Sequence, residues 1–162
     1  MKKSTIDKIF NNLFKDYPKP KSELKYTNRF TFLVSVILSA QATDVSVNKA
    51  TKDLFKLVST PQAMINLGEE ELKKYIKTIG LFNAKARNII NLSKILVSKF
   101  KNRIPQEFNE LISLPGVGNK TASVYQNSIL KLPRIAVDTH VFRVSNRTGI
   151  TNASTTDLTQ TQ

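Results

Sequence analysis

Apolar positions recur at helical spacing along nearly the whole chain, and no stretch makes a convincing strand. Ile6, Ile9, Phe10, Leu13 and Phe14 form the first stripe. Ser4 is its predicted cap, Asp7 sits where a carboxylate can reach back to the cap amide, and Pro18 and Pro20 end it. A basic linker, Lys19 to Lys25, follows. Phe30 to Ala40 is dense in Phe, Leu, Val and Ile, and its length predicts a central helix with Thr27 or Asn28 near the cap. Thr43 and Asp44 cap a helix to about Val58, with Ala50, Leu54, Phe55 and Val58 inward.

Thr60-Pro61 opens a short helix that Gly68 breaks. Glu69, Glu70 and Glu71 then lie in the first turn of another and Lys77 in its last, with Gly80 as the predicted C-cap. Asn83 begins a long helix to about Phe100, with Ile89, Ile90, Leu96, Val97 and Phe100 inward. Pro105 to Ser113 reads as a short helix, and Asn119 to about Leu132 as another. Asp138 is the predicted N-cap of a helix from Thr139 to about Arg147, with Gly149 as its stop. From Thr151 onward the residues are polar, only Leu158 offers an anchor, and a loose tail over 151–162 is expected. The fold class is all-α with short connections.

Composition narrows the chemistry. With no cysteine among 162 residues, disulfides, thiolate metal sites and cysteine nucleophiles are excluded. The single histidine, His140, excludes a multi-histidine metal site within the chain and is expected to have a packing or hydrogen-bonding role. No apolar run reaches the roughly 18 residues of a membrane span, so a soluble, cytoplasmic chain is expected. The formal net charge of +13 suits a polyanionic partner, or simply a lysine-rich, solubilising surface.

The most specific local feature is helix, Leu114-Pro115-Gly116-Val117-Gly118, helix. Two glycines allow close backbone approach and leave N–H groups near the start of the next helix, a geometry suited to phosphate. The element is either an ordinary turn or a helix-hairpin-helix that grips DNA phosphate without reading bases. Lys120 follows it in a first helical turn, where the helix dipole disfavours an ammonium. If partly buried as well, it is poised as a neutral amine nucleophile; otherwise it is a phosphate contact or an exposed lysine. Asp138, 18 residues later, is a plain N-cap or also a partner of Lys120 across one cleft. The polar joint Ser39 to Asp44 suits contacts to base edges. In the joint Gly80-Leu81-Phe82, Leu81 either wedges between bases or packs beneath its own loop. Arg143 and Arg147 share a helical face and can pair with carboxylates or approach DNA.

Four blocks together carry a family likeness: Leu38 to Ala50, Tyr75 to Leu81, Leu114 to Ala122 and Ala136 to Val144. In this order they resemble the endonuclease III family of helix-hairpin-helix DNA glycosylases with abasic-site lyase activity, over about residues 1–149. The resemblance implies a six-helix barrel over 22–132 with the hairpin element at 106–131. It also implies a second helical lobe, represented here in part by 1–21 and 133–150, with helix 4–16 packed on helix 139–147. It assigns attack on the sugar C1′ to Lys120 and assistance to Asp138. Gln41 would fill the gap left by a flipped nucleotide, Leu81 would wedge beside it, and Gly116, Val117, Gly118 and Thr121 would meet the DNA. The implied partner is double-stranded DNA with oxidised or ring-saturated pyrimidines or abasic sites, bound by a monomer. No diffusible cofactor or divalent metal is implied.

The departures are specific. The family's [4Fe–4S] cluster needs four cysteines that this chain lacks, and the family usually continues for about 50 residues more. A C-terminally shortened form is therefore expected, with Phe10, Phe14 and Phe142 partly uncovered. Asn119 stands where the family typically has arginine or lysine, and Tyr125 and Gln126 replace aliphatic residues. The alternative to an enzyme is a DNA-binding remnant with little or no catalysis.

Overall fold

The computed structural model describes residues 1–20 and 22–161; Lys21, within the basic linker, and Gln162, at the end of the polar tail, lie outside the described residues. These fold into ten α-helices, with no strand among the described residues. The chain divides into two compact units: residues 23–134, and residues 1–22 with 135–162.

The larger unit is organised around α2 (Arg29–Ser39), whose residues Phe30 to Leu38 are all buried. A helix apolar on every face needs neighbours on every face. α3 (Asp44–Leu57), α6 (Phe82–Phe100) and α8 (Asn119–Leu130) supply them. Its start is fixed by a reciprocal cap: the Asn28 side chain accepts from the Thr31 amide at 3.0 Å, and the Thr31 hydroxyl accepts from the Asn28 amide at 2.9 Å. Thr43 and Thr60 cap α3 and α4 (Pro61–Leu67) through their hydroxyls, as their sequence positions predict. α4 and α5 (Glu69–Ile76) pack on α6, and α3 on α5. Core side chains such as Phe32, Leu33, Leu54, Leu72, Ile89 and Leu96 are wholly removed from water, each stabilising the fold by about 1.5–3 kcal/mol.

Three expectations in this unit are corrected. α5 stops at Ile76 with Lys77 as its C-cap, and Gly80 is not the left-handed residue; Leu81 is, at φ 58°. Pro105 does not open a helix. Residues 103–106 have no regular secondary structure, α7 (Phe108–Ile112) starts later, and the Gln106 carbonyl accepts from Gln126 Nε2 of α8 at 2.8 Å. Pro105 is buried, and its steric effect on Ile104 disfavours a helix starting there. On α6, Phe100 is half-buried and packed against the core, Val97 is half-buried, and Lys85, not expected inward, is buried.

In the smaller unit, α1 (Lys3–Asp16) begins before Ser4, and its cap residue Lys2 makes no side-chain capping bond. The start is set from outside the helix: the Met1 amine donates to the Gly149 carbonyl at 2.7 Å. α1 buries none of its residues, and Phe10 and Phe14 are 51% and 68% exposed, while Phe142 is half-buried. α9 (Thr139–Thr148) is capped by Asp138 and stopped by Gly149 at φ 74°, as expected. The tail is not loose over its described part. Asn146 donates to the Ala153 carbonyl and accepts from the Ala153 amide and the Thr151 hydroxyl. α10 (Thr156–Thr161) then begins at Thr155, whose hydroxyl accepts from the Leu158 amide. Its buried residue is Thr159, whereas Leu158 is 49% exposed. Polar side-chain bonds, not an apolar anchor, order this segment.

Candidate nucleic-acid interface

Three loops gather at one end of the larger unit. The first follows α2, the second precedes α6, and the third joins α7 to α8. Two glycines mark how closely they meet, though only Gly116 is sterically required. A Cβ on Gly116 would lie 3.1 Å from Asn88 Cβ of α6 and 3.4 Å from Ile37 Cγ2 of α2. A Cβ on Gly80 would lie 3.7 Å from the Gln41 carbonyl oxygen.

The hairpin treats its two glycines differently. Gly116 has φ +79° and is wedged on α2 and α6, so it serves the turn and the packing. Gly118 has φ −95°, nothing within 4 Å of its missing Cβ, and no side chain with which to cap α8. That leaves the start of α8 approachable by an anion. Leu114 and Val117 are buried beneath the turn, and the Val117 amide donates to the Leu114 carbonyl at 3.1 Å. Val117 can therefore offer a ligand only its backbone. Thr121 is half-buried in the first turn of α8. Lys120, beside it, is exposed, so the partial burial set as a condition for a poised amine is not met.

Gln41 and Leu81 are both left-handed, at φ 56° and 58°, and both exposed. Such a backbone costs a non-glycine residue about 1–2 kcal/mol. Leu81 is 64% exposed, so it does not pack beneath its loop. Lys85, which the sequence reading missed, is buried at the end of α2 that leads into Gln41. Its Nζ donates to the Leu38 carbonyl at 2.9 Å and to the Ala40 carbonyl. Burial pushes its ammonium below the ordinary lysine pKa. The available signal was its place in α6: Lys85 lies four residues before Ile89, on the buried stripe.

Asp138 belongs to the other unit. Its Oδ1 accepts from the His140 amide at 3.0 Å and the Val141 amide at 2.9 Å. His140, Arg143 and Arg147 are exposed on α9. A depression of about 770 Å³, lined by Asn28, Arg29, Thr60 and Arg103, lies at the opposite end of α2 from these loops.

Residues 34–162 match the model of the HhH-GPD superfamily of base excision DNA repair proteins. Endonuclease III of Rickettsia conorii is 54% identical over 162 residues, which is all of this chain and 77% of that protein. The chain belongs to the endonuclease III family. Among solved structures of this family, a non-covalent endonuclease III–DNA complex superposes with a TM-score of 0.93 at 41% identity, covering 99% of this chain and 76% of that one. A trapped endonuclease III–DNA covalent intermediate, an estranged-adenine complex, matches with the same TM-score, identity and coverage.

The resemblance raised a [4Fe–4S] cluster. This chain has no cysteine, and among the described residues no three His, Cys, Asp or Glu side chains converge to hold a metal ion. The residues present do not fit the cluster, and no step of the chemistry is derived through one. Among the described residues no helix is long and apolar enough to cross a membrane.

Proposed function

We propose that this chain is a bifunctional DNA glycosylase and abasic-site lyase, acting in the cytoplasm on double-stranded DNA with oxidised or ring-saturated pyrimidines. The observation that carries the reading is the hairpin itself: an open, uncapped helix start at Gly118 with a lysine two residues beyond it. The likeness to an endonuclease III trapped covalently on DNA supports the covalent chemistry. The surplus of 25 basic over 12 acidic residues supplies the attraction to phosphate. In this reading residues 22–132 correspond to the family's six-helix barrel, and residues 1–21 with 133–150 represent part of its second lobe.

The backbone at Gly116 to Gly118 and Thr121 grips phosphate, which positions the duplex without reading it. Gln41 and Leu81 occupy the gap once the damaged nucleotide leaves the stack. Lys120 Nζ, having given up a proton to solvent, then attacks C1′. The N-glycosidic bond breaks, the base leaves with a proton, and the opened sugar is held as an iminium. Asp138 stabilises positive charge in the transition state and helps move protons. Loss of a C2′ proton expels the 3′ phosphate by β-elimination, and water releases Lys120.

Borohydride trapping on a duplex with one abasic site tests this. The wild-type chain is expected to give a covalent adduct and Lys120→Ala none, with salt-sensitive DNA binding retained by both. A wild-type chain that gives no adduct and binds intact and abasic duplex equally overturns the enzyme and leaves a phosphate-binding module.

A further inference from the structure

We propose that Lys85 is a positioning residue for the damage-sensing contact, holding Gln41 and Leu81 in one arrangement by capping the C-terminus of α2; this rests on the function proposed above. A buried lysine is rare unless its charge is compensated. At Lys85 the ammonium's partners are two backbone carbonyls, Leu38 and Ala40, and not a carboxylate. These are orphan acceptors of the last turn of α2, where the helix dipole favours a cation. No glycine ends this helix. Ala40 departs at φ −57°, ψ 116°, and the next residue is the left-handed Gln41.

The other end of the same lysine reaches Leu81. The Lys85 amide donates to the Leu81 carbonyl at 3.0 Å, closing the first turn of α6 around a second left-handed residue. Lys85 thus ties the residue before Gln41 to the turn that carries Leu81, across 45 positions of sequence. The two loops lie close at Gly80, where a Cβ would be in ordinary contact with the Gln41 carbonyl at 3.7 Å. Two strained, exposed, non-glycine residues on touching loops persist only where the surroundings over-determine them. The buried ammonium supplies that determination. Without it, the last carbonyls of α2 turn to water and the Gln41 loop relaxes away from Leu81, while the hairpin, packed through Gly116 on Asn88 and Ile37, keeps its phosphate grip.

A thermodynamic cycle separates positioning from general stability. Dissociation constants are measured at fixed salt for a duplex with one non-cleavable abasic analogue and for the intact duplex. The proteins are wild type, Lys85→Met, the double variant Gln41→Ala Leu81→Ala, and the triple variant. The abasic-to-intact ratio, taken on one preparation, cancels any loss of folded protein. Lys85→Met is expected to lower this preference roughly ten- to a hundredfold, the scale of a lost charged hydrogen-bond pair. On the double-variant background it is expected to lower it less than about twofold, because the residues through which it acts are already gone. Should Lys85→Met not fold, Lys85→Gln, which keeps donors without the charge, is read the same way. A preference unchanged in the single variant, or a full further loss in the triple variant, overturns the inference. A wild-type chain with no preference overturns the underlying reading and the inference with it.

Discussion

Replacing Gly116 by alanine adds one methyl group where two penalties meet. The backbone at φ +79° is left-handed, which costs an L-residue about 1–2 kcal/mol. The methyl would also lie 3.1 Å from Asn88 Cβ and 3.4 Å from Ile37 Cγ2. Neither is a flexible tip: Asn88 Cβ is fixed to the α6 backbone, and Ile37 is 3% exposed in the core. Relief needs a helix to shift by a few tenths of an ångström, at the lower end of overpacking costs, about 1–2 kcal/mol. Together these give about 2–4 kcal/mol, a fall in Tm of about 5–15 °C for a chain of this size.

Two controls divide the terms. Gly149 has φ +74° and open space, so Gly149→Ala carries the backbone cost alone, about 1–2 kcal/mol. Gly118 has φ −95° and open space, so Gly118→Ala changes stability by less than about 0.5 kcal/mol while its methyl obstructs phosphate. Thermal and urea unfolding, followed by far-ultraviolet circular dichroism, rank the three, and a salt titration of duplex binding completes the comparison. The reasoning is refuted if Gly116→Ala melts no lower than Gly149→Ala, or if Gly118→Ala is as destabilised as Gly116→Ala.

Asp138 separates structure from chemistry in the same way. Asp138→Ala removes an oxygen that accepts from two amides and is expected to cost about 1 kcal/mol, whereas Asp138→Asn keeps a capping oxygen and melts as wild type but traps abasic DNA more slowly. Equal trapping by Asp138→Asn and wild type would reduce Asp138 to a cap. Gln126 is buried, with Oε1 lacking a hydrogen-bond partner among the described residues while Nε2 serves the Gln106 carbonyl. Gln126→Met exchanges that orphaned acceptor for apolar packing and is expected to raise stability by about 1 kcal/mol in urea unfolding; a fall would show that the amide contributes more than its orphaned oxygen costs.

Helix positions were legible because caps and stripes are local. Asn28, Thr43, Thr60 and Asp138 each sit where a short polar side chain can close the first turn, and each does so. Where local signals misled, a distant partner decided the backbone. The Met1 amine reaching Gly149 starts α1 ahead of Ser4. The Gln126 amide holds the Gln106 carbonyl, and the Pro105 segment stays out of the helix. Asn146 orders residues 151–153, whose own side chains offer no apolar anchor.

The candidate site divides along the same line. Composition, cap chemistry and the glycine pair of the hairpin were sufficient for an all-α chain with Lys120 just after a glycine hairpin, and the four blocks carried the likeness to a DNA-directed family, because each depends on residues close in sequence. What Gly116 and Gly118 separately do, that Leu81 stands out rather than packing under its loop, and that Lys85 is buried with its ammonium on the Leu38 and Ala40 carbonyls depend on α2, α6 and α8 meeting at one end of the unit. A lysine on an apolar stripe carries no mark in the sequence of the carbonyls it will meet 45 and 47 positions away. Only packing brings an ammonium and a helix C-terminus together, and only burial makes that pairing necessary.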